Sequence, residues 1–176
     1  MNFGFVKAVC AAPKLRVADC TYNAAQIAGE IKNAAAKGTE LLCLPELCLT
    51  GYTCGDLFFQ PVLQQGALNA LQTVADATKG SDMLVLAGLP LVVGGKLYNC
   101  AAVLQNGRVL GAVPKTHLPN YGEFYEMRQF TPAPAENEEI TLLGQRVLFG
   151  TKQLFCCAQN SDFVLGVDAY GRVRKF

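Results

Sequence analysis

Tryptophan is absent from the 176-residue chain, and histidine occurs once, at His117. Charge is scarce too. Asp, Glu, Lys and Arg make up 16% of the residues, and 15 basic against 14 acidic side chains leave a formal net charge of +1. Such a balance gives no electrostatic reason to expect nucleic acid or an anionic membrane as partner. With one histidine, no Cys-x-x-Cys pair and no Cys/His spacing, a zinc-type metal site is not expected. No apolar run approaches the length of a membrane span. Residues 1–13 lack a basic start and carry Lys7 in their middle, so they read as a strand and not as a secretory leader. Ala11-Ala12-Pro13-Lys14 stands where a glycine-rich dinucleotide turn would follow a first strand, and no phosphate-cradling lysine loop occurs.

What is present is apolar: 51% of residues are hydrophobic, enough for a real core and too many for disorder, collagen or a solvated coiled coil. The length suits one domain or a large piece of one. A chain this poor in charge is expected to hide some surface against another domain or subunit, so a homo-oligomer is anticipated. Eight cysteines, at positions 10, 20, 43, 48, 54, 100, 156 and 157, lie partly inside apolar runs. They read as reduced, core-packed thiols of a cytoplasmic protein, Cys156 and Cys157 included.

Periodicity suggests strands and helices in alternation. Residues 3–11 are β-prone. Residues 22–37 form an amphipathic helix, capped by Asp19 or Thr21, with Ala24, Ile27, Ala28, Ile31 and Ala35 on one face and Gly38 as its stop. Strands are expected at 40–45 and 82–89 with a helix at 62–78 between them, and Asn106-Gly107 marks a hairpin joining 98–105 to 108–113. Residues 116–137 carry aromatics with little periodicity, as an ordered functional loop does. Short strands follow at 141–143, 145–149, 153–157 and 163–167. The pattern is an α/β sandwich with a mixed sheet.

Three segments could carry chemistry. Glu46 ends a buried strand between Pro45 and Gly51, where desolvation would raise a carboxylate toward general-base duty; it could equally mark where the strand surfaces. Lys115 follows Pro114 at the end of the hairpin and could stabilise an oxyanion, or simply snorkel to water. The following loop gathers Tyr121, Glu123, Phe124, Tyr125, Glu126 and Arg128, which suits a pocket for a small zwitterion or a surface loop pinned by aromatic burial.

Taken together and in order, Pro-Glu-Leu-x-Leu-Thr-Gly-Tyr, Leu-Tyr-Asn-Cys-Ala through Val-Pro-Lys, and Leu-Pro-Asn-Tyr-x-Glu-Phe-Tyr-Glu-x-Arg-x-Phe are more specific. They resemble the carbon–nitrogen hydrolase (nitrilase) superfamily, most closely the N-terminal glutaminase domains of glutamine-dependent NAD synthetases. The segments 17–23 and 54–58 are similar to that branch as well. The resemblance implies a four-layer αββα sandwich and a Glu-Lys-Cys triad. Glu46 matches the base and Lys115 the lysine that stabilises the tetrahedral intermediate. Tyr121 matches a residue lining the glutamine pocket, with Tyr52, Glu123 and Phe124 as neighbours. Glutamine is the implied substrate, and its ammonia would serve NAD biosynthesis.

The match departs near residue 167. Where the family carries its nucleophile in a Gly-Val-Glu-Ile-Cys motif, this chain has Gly166-Val167-Asp168-Ala169-Tyr170, which puts Tyr170 at the cysteine position. A phenol cannot replace a thiolate there. The expectation is therefore residues 1–176 as a partial, C-terminally truncated amidohydrolase domain, inactive for want of its nucleophile. ATP and magnesium would belong only to a synthetase domain, whose Ser-Gly-Gly-x-Asp-Ser loop does not occur. A stand-alone nitrilase-type amidase and a non-catalytic binding or assembly module remain as alternatives.

Overall fold

A computed structural model describes residues 5–156, 163–168 and 172–175. Strand β1 (Ala8–Cys10) leads to helix α1 (Cys20–Ala36), whose N-cap is Asp19: its carboxylate accepts the Tyr22 N–H at 3.0 Å. Buried positions Ala24, Ile27, Ile31 and Ala34 follow the helical period, so the inward stripe ends on Ala34, while Ala35 is exposed. Strand β2 (Leu41–Cys43) and helix α2 (Pro61–Ala77) come next, with a 3-10 turn (Gly55–Phe59) before the helix and Pro61 at its first turn. Then β3 (Leu84–Val93), β4 (Lys96–Gln105) and β5 (Arg108–Pro114) run as two hairpins, turning at Gly94-Gly95 and Asn106-Gly107. A single helical turn, α3 (Glu126–Gln129), interrupts the following loop; β6 (Glu138–Leu142), β7 (Gln145–Phe149), β8 (Leu154–Cys156), β9 (Val164–Asp168) and β10 (Arg172–Lys175) complete the order.

Seven strands make one mixed sheet in the order β1-β2-β3-β4-β5-β7-β6, with β1, β2 and β3 mutually parallel and the central hairpins antiparallel. Alternation along its strands sends side chains to two different layers. Leu42, Val85, Ala87, Ala102 and Leu104 meet the helices α1 and α2 in the larger core. Their neighbours Leu41, Leu84, Leu86, Val103 and Val113 face Phe155, Phe163, Leu165 and Val167 of the small antiparallel sheet β10-β9-β8. Helices, large sheet and second sheet therefore stack, among the described residues, as three layers of the expected nitrilase-type sandwich. The sheets approach so closely at Gly111 that a Cβ there would lie 3.1 Å from the Phe155 ring of β8 and would also overlap the side chain of Gln153, just before that strand. Gln153 itself is tied down, donating to the carbonyls of Ala112 and Gly150 at 3.0 and 2.8 Å.

Strand length and cysteine burial also depart from expectation. Strand β3 runs on to Val93 through Pro90, past the expected end at residue 89. Its ladder with β2 stops at Leu86, and beyond that only β4 pairs with it, so the missing N–H of a proline is tolerated. Cys156 is exposed on β8, because the inward side chain of that short strand is Phe155. Cys157 lies outside the described residues. The cysteines described are all free thiols: Cys20, Cys48, Cys54 and Cys100 are buried as expected, Cys43 is half-buried, and Cys10, on the edge strand β1, is exposed. No helix among the described residues is long and apolar enough to cross a membrane.

Candidate active site

Glu46 sits in a tight turn at the end of β2. Leu44 N–H donates to Leu86 O at 3.0 Å and Leu49 N–H to Gly88 O at 3.1 Å, which straps the turn against β3 from both sides. The chain reverses through Leu47, which adopts φ +51, a left-handed conformation unusual for a side chain branched beyond Cβ. Gly88 makes room for it: a Cβ there would fall 2.3 Å from Leu47 N and 2.8 Å from Pro45 O. The turn carries Glu46 toward the end of β5, where Lys115 leaves the sheet.

Lys115 Nζ lies 2.7 Å from Glu46 Oε1 and 2.9 Å from Glu126 Oε1. Glu126 Oε1 also accepts the Tyr52 hydroxyl at 2.7 Å, and Glu46 Oε1 accepts Asn99 Nδ2 at 2.5 Å. Burial differs sharply between the carboxylates. The Glu126 side chain is 5% exposed and that of Glu46 43%. The expectation that Glu46 is desolvated is thereby corrected: Leu47, Cys48 and Leu49 of its turn are buried but its own side chain points outward, and the buried carboxylate is Glu126, whose Oε2 has no hydrogen-bond partner among the described residues. Two carboxylates against one ammonium leave an excess negative charge, suited to a ligand that brings a proton donor.

The loop after Lys115 is held by its own contacts. Glu126 N–H donates to Pro119 O at 3.1 Å, Thr131 N–H to Leu97 O at 2.8 Å and Ala133 N–H to Lys115 O at 3.0 Å. Phe130 is buried against Phe58 with ring centroids 5.0 Å apart, and Arg128 forks onto Asp56 at 3.1 and 2.9 Å. Main-chain hydrogen bonds, the one buried aromatic Phe130 and the Arg128 fork thus pin the loop and present Glu126 to Lys115, while Tyr121 and Tyr125 stay exposed.

Two cavities flank the cluster. One, of about 360 Å³, brings Glu46, Lys115 and Tyr121 together with His117 at its rim. The other, of about 230 Å³, is lined by Tyr52, Glu123, Phe124 and Glu126. The expected site residues therefore divide between adjoining spaces, with Glu126 lining the second and bound to Lys115 in the first. Tyr170 lies outside the described residues. Sequence reasoning placed Glu126 in the loop without a role and passed over Asn99. Burial of a carboxylate beside a lysine eleven residues away cannot be seen in a segment without periodicity.

Among the described residues, no cysteine lines either cavity. Cys48, two residues beyond Glu46, donates to Gly88 O at 3.6 Å, and burial pushes its thiol up to about 12. The Tyr52 phenol is raised by burial and then by the Glu126 carboxylate it faces. For Lys115, burial lowers the pKa, but hydrogen bonds and charge from Glu46 and Glu126 outweigh it and the net direction is up from 10.5. The folded state thus holds that proton more tightly than the unfolded chain. The associated stability is whole below 10.5 and disappears as pH rises through the higher folded value. Urea midpoints followed above pH 10.5 should fall more steeply for the native chain than for Lys115→Met; parallel slopes would remove the linkage.

A mixed sheet backed by two helices on one face and a second sheet on the other is the architecture of a nitrilase-type fold, and here it brings a lysine between Glu46, in the turn after β2, and Glu126, at the start of α3. The chain belongs to the carbon–nitrogen hydrolase family, whose sequence pattern matches residues 7–162. Within that family it is similar to a glutamine-dependent NAD(+) synthetase of Mycobacterium tuberculosis, 36% identical over 96% of this chain and 26% of that protein. Its structure resembles that of a glutamine-dependent NAD(+) synthetase from Cytophaga hutchinsonii, with a TM-score of 0.83 and 32% identity over 92% of this chain and 27% of the other. An amidase from Nesterenkonia sp. shares the fold at 22% identity, with a TM-score of 0.61 over 81% of this chain and 54% of its own. The chain thus spans about a quarter of the length of the NAD(+) synthetases it matches.

Proposed function

We propose that this chain carries the base-and-lysine part of a glutamine amide-hydrolysing site, of the kind that would supply ammonia to an NAD(+) synthetase, and that it hydrolyses no amide itself. The observation that carries the reading is Lys115 Nζ held between Glu46 and Glu126 at the wall of a cavity. An ammonium has three donors, and two are taken by the carboxylates, so one is left for an oxyanion. In the complete reaction a thiolate attacks the side-chain amide carbon of glutamine. Glu46 takes the thiol proton, Lys115 stabilises the tetrahedral oxyanion, the proton on Glu46 passes to the amide nitrogen so that it leaves as ammonia, and water hydrolyses the resulting thioester. Tyr121 would line the glutamine pocket, with Tyr52, Glu123 and Phe124 beside Glu126.

The inactivity follows from Tyr170 at the position matched to the nucleophile, and is supported by the lack of a described thiol in the wall of either cavity. Incubated with glutamine, the chain should release no ammonia above the uncatalysed rate, while calorimetry should detect glutamine uptake that Tyr121→Ala weakens. Sustained ammonia release at the rate of an intact glutaminase would overturn the inactivity. A chain that takes up no glutamine would overturn the pocket.

A further inference from the structure

Glu46 is half exposed, yet a general base must present one oxygen at a defined place, and a glutamate has three torsions with which to wander. Two donors hold it inward, both on Oε1: Lys115 Nζ at 2.7 Å and Asn99 Nδ2 at 2.5 Å. The lysine is a poor clamp by itself. Its stem is flexible, and its ammonium is shared with Glu126. Asn99 has a short side chain, is 4% exposed, and sits in the β3–β4 ladder opposite Pro90. Its backbone carbonyl accepts the Lys115 N–H at 2.8 Å. One residue therefore grips the carboxylate of Glu46 with its side chain and the main chain of Lys115 with its own.

We propose that Asn99 is a positioning residue, which locks Glu46 Oε1 against Lys115 and leaves Oε2 as the oxygen that accepts a proton. The proposal rests on Glu46 serving as the base of the site. It is specific about the atom: with Oε1 already accepting two hydrogen bonds, Oε2 is the oxygen with unused lone pairs. It also makes Asn99 act through Glu46, so that its effect vanishes when Glu46 cannot be held.

The test is a double-mutant cycle read at Lys115 by competitive acylation of amines near neutral pH, with mass spectrometry of the labelled peptide. In the native chain both carboxylates keep Nζ charged and slow to react. Asn99→Leu should release Glu46 to water and raise Lys115 labelling several-fold, a tenfold rise corresponding to about one pKa unit. Glu46→Gln should raise it by a similar factor, and Asn99→Leu added to Glu46→Gln should add nothing. An equal rise from Asn99→Leu in both backgrounds means general loosening and overturns the proposal, as does no rise in either. If Asn99→Leu does not fold by circular dichroism, Asn99→Ser replaces it in the same cycle and is read in the same way. Labelling needs no turnover, so failure to take up glutamine would sink the functional reading and leave this result standing.

Discussion

Replacing Lys115 by methionine is expected to cost about 3–5 kcal/mol of folding stability, the range for removing one partner of a buried ion pair. The magnitude comes from what is left behind. Glu126, its side chain 5% exposed, would keep the Tyr52 hydroxyl as its donor among the described residues, and its Oε2 already has none. Glu46 loses much less, because its side chain is 43% exposed and water can replace the ammonium. The two carboxylates therefore predict different outcomes in a denaturant series. Adding Glu126→Leu to Lys115→Met should recover most of the loss, whereas adding Glu46→Gln should recover little. Similar recovery from both would show that the cluster is not divided into a buried and a solvated half.

Gly88→Ala is the second large effect, and it reaches the site without touching a charged group. The added Cβ would lie 2.3 Å from Leu47 N, 2.8 Å from Pro45 O and 2.9 Å from Glu46 C. These are main-chain atoms, so no rotamer change relieves the overlap, and the turn must separate from β3. That movement opposes the straps from Leu44 to Leu86 and from Leu49 to Gly88. Overpacking of this kind costs about 1–3 kcal/mol or more, and withdrawal of Glu46 should raise amine labelling of Lys115 as well. Gly29→Ala on α1 is the control: a Cβ there has nothing within 4 Å, and helix propensity favours alanine by roughly 0.5–1 kcal/mol. A Gly88→Ala chain as stable as the native one, with Lys115 still protected, would mean that the turn is not seated where the structure puts it.

Much of this architecture is legible in residue order, and the reason is local. Helix α1 declares itself by period and by the Asp19 cap, and α2 by period and Pro61. The β4–β5 hairpin is declared by Asn106-Gly107, with both residues at positive φ. Ala34 and not Ala35 closes the buried stripe, because both lie within one turn of Ile31 and only the packing of the helix decides between neighbours on the same face. Pro90 reads as a strand end, and only the early finish of β2 reveals why it is not one. Within the site, Glu46 and Lys115 stand out because each follows a proline at the close of an apolar run. Asn99 does not, being one polar residue in a strand, and its value depends on a glutamate 53 positions away.

The central ladder has a bearing on how the molecule comes together. Strands β3, β4 and β5 are consecutive and joined by tight turns, so each pairing closes a short loop and can form within microseconds. This meander, with the residue that follows it, already contains Gly88, Asn99 and Lys115. Glu46 arrives by a slower route, since β2 must dock parallel to β3 across the whole of α2. The cradle should therefore exist before the acid that it holds. In pulsed hydrogen exchange during refolding, amides of the β4–β5 pairing should gain protection ahead of Leu44 and Leu49, and the reverse order would place assembly of the base first.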